Sequence, residues 1–252
     1  MATPLAWLTA ATLPALAERE LHVWRASLDL PPTVSQRIAK TLDEQEKKRA
    51  ERFLVPQARD SFVAARGILR ELLGTYLGLD AGKVTLSYGP QGKPFLSPVH
   101  NSRLCFSVSH SHGMALFVFA SGHEVGVDIE RVEPHLRGME IATHFFSDEE
   151  TAGLAKLSPK LTQEAFFGCW TRKEAYVKAR GQGLSIPLGS FTVSLAEREQ
   201  VVRDETGALW SCYALEPAAG FTGAVVAAGE NWRLKYCDWT AGVDTTASAL
   251  LD

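Results

Sequence analysis

Two acids two positions apart, Asp128 and Glu130 in "VGVDIE", and a third, Glu174 in "FFGCWTRKEAYVKA", have the types and spacing for chemistry. On a strand, Val125, Val127 and Ile129 point one way, while Gly126, Asp128 and Glu130 point the other. Like charges so close repel unless a cation sits between them. Alone, the pair equally suits a solvated acidic face on an exposed edge strand. Glu174 follows Phe166 and Trp170 and precedes Lys178 at four-residue steps, so all four share one helix face. A carboxylate in that company needs a partner if the face packs inward. With Lys178 it could also form the i,i+4 pair of an exposed helix. Three carboxylates on a strand and a helix suit a hard cation such as Mg2+, which keeps waters and binds substrate phosphates. Zinc would call for His or Cys.

Groups able to hold phosphate occur upstream without a P-loop. "GPQGKPFLS" presents Lys93 and Pro94 after two glycines, and "FSVSHSHG" places Ser109 and His110 at a hairpin tip. "EKKRAER" supplies Lys47, Lys48, Arg49 and Arg52. Each alone reads as an ordinary turn or a solvated helix face.

The elements that must position these residues follow from periodicity. "ELHVWRASLDL" alternates like a strand up to Pro31. Residues 33–52 read as one charged helix and 59–79 as a second, amphipathic one. "KVTLSY" gives a short strand, and "RLCFSVS" and "MALFVFA" a β-hairpin whose sheet "EVGVDIERV" is expected to extend. A helix near "SDEETAGLAKL", the Glu174 helix, and strands at "SFTVSL", "LWSCYAL", "TGAVVAAG" and "WRLKYCDW" follow. The expected fold is α+β, with a lobe over residues 1–122 and another over 123–252, each a small antiparallel sheet with helices.

Composition excludes other classes. The 252 residues are 46% hydrophobic and 22% charged with net charge -3, as in an ordinary globular protein. No apolar run approaches the ~20 residues of a membrane span. The apolar start lacks a basic region and is interrupted by Pro4 and Pro14, so a cytoplasmic location is expected. Four scattered cysteines read as reduced thiols rather than as a disulfide frame or a zinc site. Residues 1–122 hold 14 Lys and Arg against 10 Asp and Glu, and residues 123–252 hold 12 against 19. That asymmetry suits a cleft with one anion-binding and one cation-binding wall, and it suits random scatter as well. No basic stripe with interleaved aromatics indicates nucleic-acid binding.

"GVDIE" followed by "WTRKEAYVKA", with "GKPFL" and "FSVSHS" upstream in order, resembles the paired signature of 4'-phosphopantetheinyl transferases. Ser107 stands where that family commonly has asparagine. The chain's length is similar to that of the surfactin-synthetase-activating type, monomers of two pseudo-symmetric halves. The resemblance implies transfer of phosphopantetheine from coenzyme A to a serine of an apo acyl or peptidyl carrier protein. Such carriers serve fatty acid, polyketide or nonribosomal peptide assembly. It implies that Asp128, Glu130 and Glu174 hold Mg2+, with Mn2+ as an alternative. Lys178 would contact the coenzyme A diphosphate, and Arg49 and His110 would lie near its 3'-phosphate. Lys93, Pro94 and Ser109 would line the nucleotide pocket, and Glu174 would be the catalytic base with Lys178 beside it. Two alternatives are a metal-dependent hydrolase adding His110 and His112 to the acids, and a carrier-binding module without activity.

Overall fold

Two helices of 22 residues set the plan: α3 (Pro56–Leu77) and α6 (Pro159–Arg180). Each opens with proline in its first turn, where the missing N–H costs nothing. Each stops at a glycine in the left-handed region, Gly78 (φ 65°) or Gly181 (φ 67°), which a side chain would disfavour. The computed structural model describes residues 6–9 and 15–241.

Around α3 stand β1 (Leu8–Thr9), β2 (Glu20–Ser27), α1 (Pro32–Ala39), α2 (Glu44–Ala50), β3 (Leu86–Tyr88), β4 (Pro94–Leu96), β5 (Leu104–Ser111) and β6 (Met114–Ser121). Around α6 stand β7 (Val125–Arg131), α4 (Gly138–Phe145), α5 (Asp148–Leu154), β8 (Glu199–Arg203), β9 (Leu209–Leu215) and β10 (Phe221–Ala228), and β11 (Arg233–Asp238) follows. One sheet runs β1-β11-β2-β6-β5 and the other β7-β10-β9-β8, with β3 and β4 a separate ribbon. The expected α+β architecture of two lobes is present. The first sheet is mixed, because β11 returns from the second half of the sequence to lie parallel to β2.

The layers stack as helix, sheet, sheet, helix. Alternate residues on β6 explain this: Ala115, Phe117 and Phe119 face the α3 core, while Leu116, Val118 and Ala120 face the second sheet. There they meet Val125, Val127 and Ile129 of β7 and Val225 of β10. The other face of β7 therefore looks at α6.

Four expectations need correction. β7 does not extend the hairpin sheet but pairs antiparallel with β10, at the edge of the second sheet. The hairpin turn is His112–Gly113, both at positive φ (45° and 80°), so Ser109 and His110 lie within β5, paired with Leu116 and Ala115. The helix expected over 33–52 breaks between Ala39 and Glu44, because Asp43 and Glu46 form a capping box that starts α2 afresh. Residues 191–196 form no strand: the Val193 amide donates to the Glu150 carboxylate and the Ser194 amide to Gln200, leaving β8 to complete the sheet.

Candidate active site

Strand β7 and helix α6 touch backbone to backbone at Gly126. A Cβ there would lie 2.0 Å from the Ala175 carbonyl oxygen and 2.4 Å from the Ala179 nitrogen. The room left by this glycine is filled by the helix, and Ala175 and Ala179 each follow a functional side chain, Glu174 or Lys178. The helix stripe emerges gradually from the core: Phe166 is fully buried, while Trp170, Glu174 and Lys178 are half-buried. That gradient brings Glu174 and Lys178 over Asp128 and Glu130.

Lys178 does not settle on Glu174, its i,i+4 neighbour. Its ammonium donates to Asp128 Oδ1 (2.6 Å) and to Ser109 Oγ (2.9 Å), and Ser109 donates to the same Asp128 oxygen (2.8 Å). Asp128 Oδ2 is buried without a hydrogen-bond partner among the described residues. Glu130 takes a hydrogen bond from Ser111 Oγ (2.8 Å). Burial pushes the Glu174 carboxyl above the usual carboxylate value, and Asp128 adds to it against the pull of Lys178. Burial raises Glu130 as well, opposed by the Ser111 hydrogen bond. The serines of β5 thus line the free edge of β7: Ser107 accepts from the Val127 amide (3.2 Å), and Ser111 from the Arg131 amide (3.4 Å).

Asp128, Glu130 and Glu174 have the chemistry to hold a hard cation. The donors are all oxygen, one is buried and idle, and like charge crowds all three. Among the described residues no three His, Cys, Asp or Glu side chains already converge as a metal cage. An ion that keeps water and phosphate in its shell needs no closed cage. His112 hydrogen-bonds Ser111 (3.0 Å) and faces Glu133 (3.3 Å), so it does not join these carboxylates in a mixed nitrogen–oxygen site.

One pocket adjoins the cluster, and a second shares Gly92 with it. The smaller, about 300 Å³, is walled by Lys93, Pro94, Ser107, Glu174, Lys178 and Gly183 among others. Lys93 donates to the Val125 carbonyl (3.0 Å) and faces Glu124 (3.5 Å), which ties its loop to the start of β7. The larger, about 610 Å³, is basic: Lys48, Arg49 and Arg52 of α2 face Tyr88 and Gly92 across it. Lys47 instead pairs with Glu44 on the outer face of α2 (2.8 Å). His110 lies on the opposite side of β5 from Ser109. Its ring is solvent-accessible yet crowded, and burial first, then Lys178 and Arg66, hold its pKa below the ordinary histidine value.

Sequence reasoning missed the roles of Ser107 and Ser111, although serines at 107, 109 and 111 alternate opposite Asp128 and Glu130. It also left Lys173 unplaced. That ammonium is fully buried, paired with Glu150 (2.7 Å) and donating to the carbonyls of Leu188 (2.7 Å) and Phe191 (2.6 Å). Lys173 therefore anchors α6 to α5 and the loop after it, on the side of the helix away from the cleft.

Residues 124–237 match the family model described as the 4'-phosphopantetheinyl transferase superfamily, and residues 31–123 match that described as 4'-phosphopantetheinyl transferase, N-terminal. The 4'-phosphopantetheinyl transferase HetI of Nostoc sp. is 37% identical over 222 residues, which are 88% of this chain and 93% of that protein. The 4'-phosphopantetheinyl transferase Sfp of Bacillus subtilis is 31% identical over 201 residues, 74% and 88% of the two chains. AcpT of Escherichia coli O157:H7, likewise named a 4'-phosphopantetheinyl transferase, is 34% identical over 123 residues, about half of this chain. A cleft that combines a basic pocket with crowded carboxylates, and likeness across most of the chain, together make this protein a member of the 4'-phosphopantetheinyl transferase superfamily.

Proposed function

We propose that the protein transfers the 4'-phosphopantetheine group of coenzyme A to a serine hydroxyl of an apo carrier protein. The products are holo-carrier and adenosine 3',5'-bisphosphate. One observation carries this reading: a basic pocket on α2 meets, at Gly92, a smaller pocket walled by Glu174 and Lys178, where Asp128 beside Lys178 keeps a buried, unpartnered oxygen. Such a site gathers phosphate charge at one end and has unspent carboxylate at the other.

In this reading residues 1–122 supply the nucleotide side and residues 123–252 the catalytic side. Arg49 and His110 hold the 3'-phosphate, and Lys93, Pro94 and Ser109 line the path of the nucleotide to the diphosphate. Asp128, Glu130 and Glu174 hold Mg2+, with Mn2+ as the substitute. When bound, the ion offsets diphosphate charge and the charge that builds on the leaving oxygen. Lys178, poised between Ser109 and Asp128, is free to contact those same phosphates. Glu174 accepts the serine proton. A water ordered by Glu130 is the competing acceptor. One chain provides both walls of the cleft, so a monomer suffices. The four cysteines are free thiols, which fits a reducing cytoplasm. No helix among the described residues is long and apolar enough to cross a membrane.

The test is to incubate the protein with coenzyme A, Mg2+ and a panel of apo carriers of fatty acid, polyketide and nonribosomal peptide origin. Release of adenosine 3',5'-bisphosphate is followed by chromatography. Release that requires an apo carrier supports the reading, and release without carrier would mark the protein as a hydrolase instead.

A further inference from the structure

Each acid on β7 is backed by a serine of β5, and each serine by a further nitrogen donor. Asp128 has Ser109 and, behind it, Lys178 of α6. Glu130 has Ser111 and His112: Ser111 Oγ lies 2.8 Å from Glu130 Oε2 and 3.0 Å from His112 Nδ1. This second chain is built entirely by the β5–β6 turn, without help from α6.

Counting hydrogens gives it a direction. A serine hydroxyl has one hydrogen to donate and two lone pairs. A carboxylate only accepts, so the Ser111 hydrogen goes to Glu130. The Arg131 amide donates to Ser111 Oγ at 3.4 Å, and His112 Nδ1 then carries a hydrogen and donates to the same oxygen. The other ring nitrogen, Nε2, meets Glu133 Oε1 at 3.3 Å, an ion pair when the ring is protonated. Glu133 thus holds the ring, the ring holds Ser111, and Ser111 holds Glu130.

Two further facts point the same way. His112 sits at φ 45° before Gly113 at φ 80°, a two-residue turn in which glycine or asparagine is the relaxed choice. Another side chain in that left-handed region carries a conformational cost, which its contacts must offset. Glu130 also needs a brace more than Asp128 does. Asp128 is 3% exposed, whereas Glu130 is half-buried and has one more rotatable bond. Taking a cation removes that freedom, and a brace already in place lowers the loss.

We propose that His112 is a positioning residue for divalent-metal binding: through Ser111 it fixes Glu130 in an orientation ready for the cation. The inference rests on the metal site of the transferase reading. It adds a residue that lines neither pocket and ligates nothing, yet sets the affinity for the ion.

Mn2+ titration of the full chain with coenzyme A and no carrier, followed by the electron paramagnetic resonance of the free ion, tests this. His112→Gly suits the left-handed turn and removes only the ring, while Ser111→Ala removes the link. Each should weaken Mn2+ binding about tenfold, as loss of a group behind a metal ligand does. The double variant should lose no more than either single one, because the two residues act as one chain. Coenzyme A binding in excess chelator should keep its wild-type value in all three. If His112→Gly does not fold, His112→Asn, which also suits the turn, decides by the same titration. Unchanged Mn2+ affinity in the His112 variant, losses that multiply in the double variant, or an equal fall in coenzyme A binding under chelator overturns the proposal. A wild-type chain that binds coenzyme A but no Mn2+ overturns the metal reading, and the proposal falls with it.

Discussion

Replacing Gly126 by alanine tests how the cleft is held together. The new methyl would sit 2.0 Å from the Ala175 oxygen, and ordinary contact begins at 3.4 Å. Strand and helix must therefore part by about 1.4 Å, since both obstructing atoms are backbone and cannot rotate aside. Helix α6 also packs on β10 through the buried Phe166, Cys169 and Ala175 side, so it cannot move without disturbing that core. Overpacking of this kind costs ~1–3 kcal/mol, and with backbone atoms on both sides the upper part of that range applies. The displaced turn carries Glu174 and Lys178, and a misplacement of ~1 Å at a reacting centre can cost ~100-fold in rate. Urea denaturation and kcat/KM for transfer to an apo carrier should both be measured on Gly126→Ala. The expected result is a folded, less stable protein with transfer reduced far beyond its loss of folded fraction. Wild-type stability together with wild-type transfer would refute the claim that this contact positions the site.

Further outcomes follow from other contacts. Lys173→Met should destabilise the fold by ~3–5 kcal/mol in urea denaturation, because it strands the buried Glu150 carboxylate. A loss below ~1 kcal/mol would contradict that anchoring role. Arg49→Ala should raise KM for coenzyme A with little change in kcat, since a remote phosphate is held equally in ground and transition states. A fall in kcat alone would contradict it. His22 is buried: Tyr76 Oη accepts from Trp24 (3.0 Å) and so donates to His22 Nδ1 (2.7 Å), while Nε2 faces Glu20 (3.2 Å). Burial holds its pKa below the ordinary value, with Glu20 opposing and Lys235 assisting. The unfolded chain then binds more protons, so stability should fall as pH drops below about 6.5. His22→Gln should flatten that slope of Tm against pH, and an unchanged slope would refute the assignment.

What could be read from the sequence was mostly local. The α3 and α6 helices and the β5–β6 hairpin were legible, but not their ends: the reading began α3 at 59 rather than at Pro56, and it put Ser109 and His110 at a turn that His112–Gly113 makes. The Phe166–Trp170–Glu174–Lys178 stripe and the Asp128–Glu130 face were legible because helix and strand periods place them without knowledge of the rest. Partnering was not legible. β7 looks equally ready to follow β6 or to pair with β10, and the choice falls to the contact of Gly126 with α6, a segment far along the chain. The same holds for β11, whose parallel partner β2 lies at the other end of the sequence. Lys173 and Arg66 drew no reading from the sequence, since burial of a charge depends on what folds over it.

The most direct test of the account is the intact mass of an apo carrier protein after incubation with this protein, coenzyme A and Mg2+. The predicted result is a gain of one phosphopantetheine on the wild-type carrier. No gain should occur when the carrier serine is replaced by alanine, when excess chelator is present, or when Asp128→Asn replaces the wild-type enzyme. A carrier that stays unmodified with the wild-type enzyme, or full modification by Asp128→Asn in chelator, would contradict it.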